Sequence, residues 1–198
     1  RDGMLAREAA DTLLSKTEKM DAVLIGPGLG ISQDTQFIVE SVLQYAKCPV
    51  VLDADGINLI SEHKDVLRER IAPTILTPHT GEFQRFTGNA ISDRIQDASN
   101  AARTYQSIVL LKGHHTVVTD GSRHYVNQTG NPGMATGGSG DVLAGIIVSL
   151  IGQGIPPFEA AACGAWLHGR AGDICAEEIG QYGMLPQDML KVLPRLLP

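Results

Sequence analysis

"DAVLIGPGLGISQDTQFIVESVLQYAKCPVVLD", Asp21 to Asp53, is the stretch on which the fold turns. "DAVLIG" (Asp21–Gly26) is a short apolar run stopped by glycine, the pattern of a buried strand. "SQDTQFIVESVLQYAK" then brings Phe37, Ile38, Val42 and Tyr45 round at near-helical spacing. Ser32 stands before it, a residue type whose hydroxyl caps helix N-termini. "PVVLD" (Pro49–Asp53) is apolar again. Strand, helix and strand in that order predict two parallel strands joined by a helical crossover.

The pattern continues downstream. "GINLISEHKDVLRER" reads as helical or broken-helical, and "TILTP" as a third strand ended by Pro78. "SDRIQDASNAARTYQ" predicts an amphipathic helix capped by Ser92, and "SIVLLKG" a fourth strand. "TVVTD" and "RHYVN" flank Asp120, Gly121 and Ser122, a hairpin turn signal. From about Gly140 the chain is nearly all helical: "DVLAGIIVSLIGQG", "PFEAAACGAWLHGRAGDICAEE" and "PQDMLKVLPRLL". Upstream, "RDGMLAREAADTLLSK" predicts a helix with one apolar face. The alternation defines an α/β protein with a mostly parallel central sheet, helices on both faces and an edge hairpin. With no repeat or linker, residues 1–198 read as a single domain.

Composition bounds the function. The 198 residues are 43% hydrophobic and 19% charged, enough apolar material for a core. A formal net charge of −6 argues against a nucleic-acid surface, though not against an anion held by a few backbone N–H groups. The apolar runs are too short to cross a membrane, and no signal-peptide pattern opens the chain. Cys48, Cys163 and Cys175 have no metal-finger spacing and read as reduced, mostly buried thiols, consistent with a cytoplasmic protein. His114, His115, His124 and His168 lack ligand spacing. Trp166 and Tyr182 are expected to pack rather than stack on a base.

In parallel sheets, ligands bind at the carboxyl ends of the strands. The segments there are "GPGLG", "DADGIN", "TPHTGEF", "KGHHT" and "GMATGGSGD", all polar or glycine-rich. In Thr136–Asp141 ("TGGSGD"), Gly137, Gly138 and Gly140 allow the backbone to curl with its N–H groups inward, just before a helix whose N-terminus is partly positive. That is an anion hole suited to a phosphate in transfer. Asp141 at its mouth can accept a hydroxyl proton, or can serve only as a helix cap. No Walker motif or G-x-G-x-x-G occurs, and "GPG" suits a tight turn as well as a ligand's approach.

"GPGLG", "DADGIN", "LTPHTGEFQRFTG", "LKGHHTVV" and "NPGMATGGSGDVLAGIIVSLIGQG", in this order, resemble the ADP/ATP-dependent NAD(P)H-hydrate dehydratases, which have a ribokinase-like fold. The resemblance runs from about Asp21 to the end. Family members usually begin earlier, so it implies a missing N-terminal segment that carries a strand and part of the substrate pocket. It implies repair of NADHX and NADPHX, nicotinamide cofactors hydrated at ring C6, by phosphorylation of the new hydroxyl from ADP or ATP and loss of phosphate. Asp141 would be the base and, with Gly28 and His79, would contact the hydrated dinucleotide. Lys112, Gly113, His114, His115, Thr116 and Gly140 would hold the nucleotide. Thr136, Gly137, Gly138, Ser139 and Gly140 would form the anion hole.

Glu82 lies where related kinases place an acid near magnesium, so the resemblance implies Mg2+ reached through water, although a Glu in a first helical turn also suits the helix dipole. His79 could equally be a strand-end His satisfied by backbone, and Thr80 stands where the family often has Pro. Asp53 and Asp55 read as acids near the site or as structural caps, with Asn58 as their support. The resemblance also implies a homo-oligomer, a tetramer or larger, and an NAD(P)HX epimerase acting on the same substrate. The rival functions are a small-molecule kinase of the same fold and a nucleotide-binding module without catalysis.

Overall fold

A computed structural model describes residues 3–197. Its centre is one six-stranded sheet in the order β1-β2-β3-β4-β5-β6, so each strand lies beside its predecessor in sequence. The strands are β1 (Val23–Ile25), β2 (Val50–Leu52), β3 (Thr74–Leu76), β4 (Ile108–Leu111), β5 (Val117–Thr119) and β6 (His124–Val126). The first four are parallel, with Val23 opposite Val50, Val50 opposite Thr74 and Ile75 opposite Ile108. β5 and β6 pair antiparallel, so the hairpin does occupy one edge. Its turn is held by Asp120 Oδ1, which accepts the N–H groups of Ser122 and Arg123 at 3.0 Å each.

Among the described residues eight α-helices accompany the strands: α1 (Ala9–Thr17), α2 (Gln33–Tyr45), α3 (Asp55–Leu59), α4 (Thr80–Thr87), α5 (Arg94–Tyr105), α6 (Ser139–Gly152), α7 (Pro157–Ile179) and α8 (Pro186–Val192). Strand side chains alternate between the two faces. Val50, Leu52, Leu76, Val109, Leu111 and Val117 join Ile57, Phe83, Ala102 and the apolar faces of α2 to α5 in one core. Val51, Ile75, Leu110 and Val118 point the other way and are covered by α6 and α7. The close approach of α6 and α7 depends on small residues: a side chain on Gly164 would meet Ile147 Cγ1 at 2.7 Å.

Several local expectations shift. Ser32 does cap α2, accepting Thr35 N–H at 3.1 Å while Thr35 Oγ1 accepts Ser32 N–H at 3.0 Å. The buried stripe of that helix is Ile38, Val39, Val42 and Leu43, whereas Tyr45 is exposed. The cap of α5 is Asp93, not Ser92: Asp93 Oδ1 accepts from Ile95 and Gln96, and Ser92 N–H donates to Asp97. The stretch after β2 is the broken form, α3 and then a 3-10 turn at Lys64–Leu67. The leading helix begins only at Ala9; Gly3–Glu8 is turn and irregular chain, and the predicted start at Arg1 and Asp2 lies outside the described residues. Trp166 and Tyr182 do not pack inward, being 42% and 109% exposed. Cys48 and Cys175 are buried, while Cys163 is exposed. Among the described residues no helix is long and apolar enough to cross a membrane.

Candidate active site

The rim at the carboxyl ends of β1 to β4 is built around Asp53. It follows β2, is 1% exposed, and uses one carboxylate oxygen twice. Asp53 Oδ1 accepts from Thr77 Oγ1, at the end of β3, at 2.8 Å and from Lys112 Nζ, at the end of β4, at 2.7 Å. Three adjacent strand ends are thereby tied across the sheet. The backbone adds a second tie: Lys112 N–H donates to Pro78 O at 2.8 Å, forming a parallel bridge between His79 and Lys112.

His79 caps α4. Its Nδ1 accepts Gly81 N–H at 3.0 Å and Glu82 N–H at 3.3 Å, while Glu82 Oε2 accepts His79 N–H at 2.8 Å. Glu82 is itself buried, 3.8 Å from Lys112 Nζ, and its Oε1 is 3.5 Å from His79 Nε2. So the backbone-satisfied His and the helix-opening Glu are both realised in the structure.

The glycine-rich segment meets this cluster from the opposite side. α6 begins at Ser139 with Gly138 as its cap at φ +89°, a backbone region that favours glycine. Asp141 therefore lies within the first turn and is not the cap. Its side chain is exposed and has no hydrogen-bond partner among the described residues. The N–H groups of Gly137, Gly138, Gly140 and Asp141 find no acceptor among the described residues, as expected of an anion-ready helix start. A Cβ on Gly140 would come within 3.2 Å of Lys112 Nζ and 3.9 Å of Asp53 Oδ2. Gly140 thus lies against the Lys112–Asp53 pair, and the helix mouth and "KGHHT" share one site.

One partner of this loop is not visible in the sequence pattern. Ser139 Oγ is 3.2 Å from Nε2 of His168 on α7. His168 is 9% exposed, and burial pushes its pKa down to about 4, with the Lys112 charge acting in the same direction. It is neutral at ordinary pH. A lone His in a helix of small residues offers no sequence signal for such a role.

The other predicted residues are placed as follows. In "KGHHT", Thr116 Oγ1 donates to Gly113 O at 2.9 Å and closes the loop. His114 and His115 are exposed, with ring centroids 3.8 Å apart. Arg94 of α5, absent from the sequence expectations, holds the loop from outside by donating to Leu111 O at 2.9 Å and Lys112 O at 3.0 Å. Asp55 Oδ2 accepts Gly30 N–H at 2.9 Å and so fixes the "GPGLG" turn. Asn58 contacts Arg85, not the two aspartates. Gly28, at φ +65°, is exposed with open space where a side chain would be, and no contact ties it to Lys112 or Asp141. Thr136 and Gly137 are exposed at the start of the helix mouth. Among the described residues no three His, Cys, Asp or Glu side chains converge as a metal cage.

A mostly parallel sheet covered on both faces, with an anion-ready helix start over a half-buried lysine, defines a ribokinase-like protein. A ribokinase-like superfamily protein of Enterococcus faecalis matches with TM-score 0.83 and 32% identity over 97% of this chain and 68% of that one. The chain belongs to the NAD(P)H-hydrate dehydratase family, whose family model matches residues 2–195.

Similar proteins include the bifunctional NAD(P)H-hydrate repair enzyme Nnr of Moorella thermoacetica, 45% identical over 98% of this chain and 38% of that protein. The ADP-dependent (S)-NAD(P)H-hydrate dehydratase of Neisseria meningitidis is 41% identical over 87% of this chain and 61% of its own length. The Bacillus subtilis ADP/ATP-dependent NAD(P)H-hydrate dehydratase, co-crystallised with ATP/Mg2+ and soaked with CoA, matches with TM-score 0.81 and 32% identity, covering 92% of this chain and 70% of that one. The chain thus spans 38% and 61% of the length of these two curated relatives, less than two thirds of either.

Proposed function

We propose that this chain carries the nucleotide-dependent dehydration of hydrated NADH and NADPH, with ADP or ATP as phosphoryl donor. The observation that carries the reading is Gly140 lying against the Lys112–Asp53 pair, because it joins the anion-binding helix start to a lysine of the rim. The names of the Neisseria and Bacillus relatives support the substrate and the two nucleotides.

The chemistry asked of the residues is limited. Asp141 takes the proton of the C6 hydroxyl as its oxygen attacks the terminal phosphorus of ADP or ATP, releasing AMP or ADP. The free N–H groups of Gly137, Gly138, Gly140 and Asp141 and the Lys112 ammonium balance charge on the moving phosphoryl group. The ring nitrogen lone pair then expels phosphate as the C6–O bond breaks. Loss of the C5 proton restores the dihydropyridine.

Mg2+ favours phosphate oxygens, water and one or two carboxylates. Direct coordination by Glu82 does not fit, since both its oxygens face His79 and one also faces Lys112. Its reach to a metal is through water, and no step here passes through one. Gly28 and His79 are proposed contacts of the hydrated dinucleotide, and Gly113, His114, His115 and Thr116 of the nucleotide. A single domain, a cytoplasmic location and a homo-oligomer remain parts of the proposal. A companion epimerase draws its support from the Moorella relative being named bifunctional.

The test is a product assay with NADHX and either ADP or ATP. The expected outcome is growth of the NADH absorbance with equimolar phosphate release. Asp141→Asn is expected to lower kcat by roughly 10²–10⁴-fold while ADP still binds. A stable phosphate ester with no NADH would make the chain a small-molecule kinase. Turnover of neither kind, with ADP binding intact, would leave a binding module.

A further inference from the structure

Taking Lys112 as a nucleotide-contacting group, as the proposed function does, we infer that Asp53 is its positioning residue and acts on the phosphoryl group only through it. Lys112 and Asp53 stand just past the carboxyl ends of β4 and β2, with β3 between them. Neighbouring strands lie about 4.8 Å apart, so these backbones are separated by roughly 10 Å. A lysine stem can span that gap, and Asp53 Oδ1 receives its ammonium at 2.7 Å. Thr77, just past the end of the strand between, donates to the same oxygen at 2.8 Å and fixes the carboxylate from the middle.

The pair is not a surface ornament. The side chains of Asp53 and Lys112 are 1% and 18% exposed. A buried carboxylate that lost its cation would be left uncompensated, which is why such pairs hold their geometry tightly. Of the three ammonium donors, one goes to Asp53 and Glu82 lies 3.8 Å away, leaving Lys112 able to donate toward Gly140 at the α6 start. Without Asp53 the flexible stem has no anchor on its reach across the sheet, and the charge no longer meets the helix mouth. Asp53 Oδ2 has no hydrogen-bond partner among the described residues, so the Lys112 bond is where its charge is spent.

The discriminating experiment is a double-mutant cycle on Asp53→Asn and Lys112→Met, read by ADP affinity in calorimetry and by kcat and KM in the NADHX assay. Asparagine keeps the shape and can still accept from Thr77, so the fold is expected to persist; thermal unfolding of each variant verifies it. Each single variant is expected to weaken ADP binding about tenfold, as for a charge-assisted contact. The double variant is expected to be no weaker than Lys112→Met alone, the signature of residues acting as one unit. The KM for the hydrated dinucleotide stays within about twofold, because Asp53 acts on the other reactant.

Effects that add, or an Asp53→Asn variant that binds ADP as tightly as the parent, would overturn the inference. A variant that loses only melting temperature would also overturn it and leave Asp53 a structural acid. The affinity arm does not need the dehydratase reaction. Failure of the proposed activity with an intact non-additive cycle therefore leaves this inference standing.

Discussion

At the scale of single residues, Gly26 has the least room of any group near the site. Its φ is +130°, and a Cβ there would overlap the Asp53 carbonyl oxygen and come within 2.8 Å of Gly56 N. Both obstacles are backbone, so neither can rotate aside. Gly26→Ala is therefore expected to cost about 2–5 kcal/mol, from the strained φ and the overlap together. Chemical denaturation measures it. A midpoint unchanged from the parent would mean that the turn has another route past β2. The variant is also expected to disturb Asp53, so its ADP affinity should fall with its stability. Asp55 acts at the same scale, and what the sequence leaves open for it, site acid or cap, the geometry answers with its bond to Gly30 N–H.

Among elements, the joint between α6 and α7 has the clearest pH signature. His168 is held neutral with a pKa of about 4, against an ordinary value near 6.5, chiefly by burial. Between those values the unfolded chain binds a proton that the folded chain refuses. Stability from this group is thus complete above about pH 6.5 and is lost as pH falls toward 4, by an amount on the order of 3 kcal/mol. Replacing His168 with Gln is expected to flatten the fall in unfolding free energy across that window. An equally steep fall in the variant would assign the acid sensitivity to other groups. Because the folded chain keeps His168 neutral across that window, its contact with Ser139 persists, and the parent's ADP affinity is expected to hold until pH approaches 4.

The elements also show what a sequence can and cannot reveal. The crossovers were legible because strand and helix periods are local, as in Asp21–Asp53. Sequence pattern sets the α5 cap one residue early because Ser92 and Asp93 are both good caps, and only the chain's path chooses Asp93. In α2 the apolar residues outnumber the places on the buried face, so Tyr45 is left outside. The pairs that organise the site were not legible from spacing. Asp53 and Lys112 are 59 residues apart, and Ser139 and His168 are 29 apart. Nothing local in either segment specifies its partner. The glycine-rich loop announced itself because its requirement, free N–H groups at positive φ, is written in consecutive residues.

For the whole molecule, the order of the sheet carries a consequence for how the chain is made. All strand neighbours are also neighbours in sequence, so the sheet and the helices on its first face can assemble as residues leave the ribosome. The second face cannot. Val51, Ile75, Leu110 and Val118 are complete by residue 118, yet α6 and α7, which cover them, begin at Ser139 and end at Ile179. A greasy, hydrogen-bonded surface must therefore wait while residues 119–179 are made, an interval in which nascent chains attract chaperones. A chain of residues 1–135, with all six strands and neither covering helix, is expected to bind a hydrophobic dye and sediment with the insoluble fraction. A soluble, cooperatively unfolding product would show that the first face alone makes a folding unit. The glycine-rich loop sits at the hinge of this schedule: the segment proposed to bind the anion is also the one that begins to close the molecule.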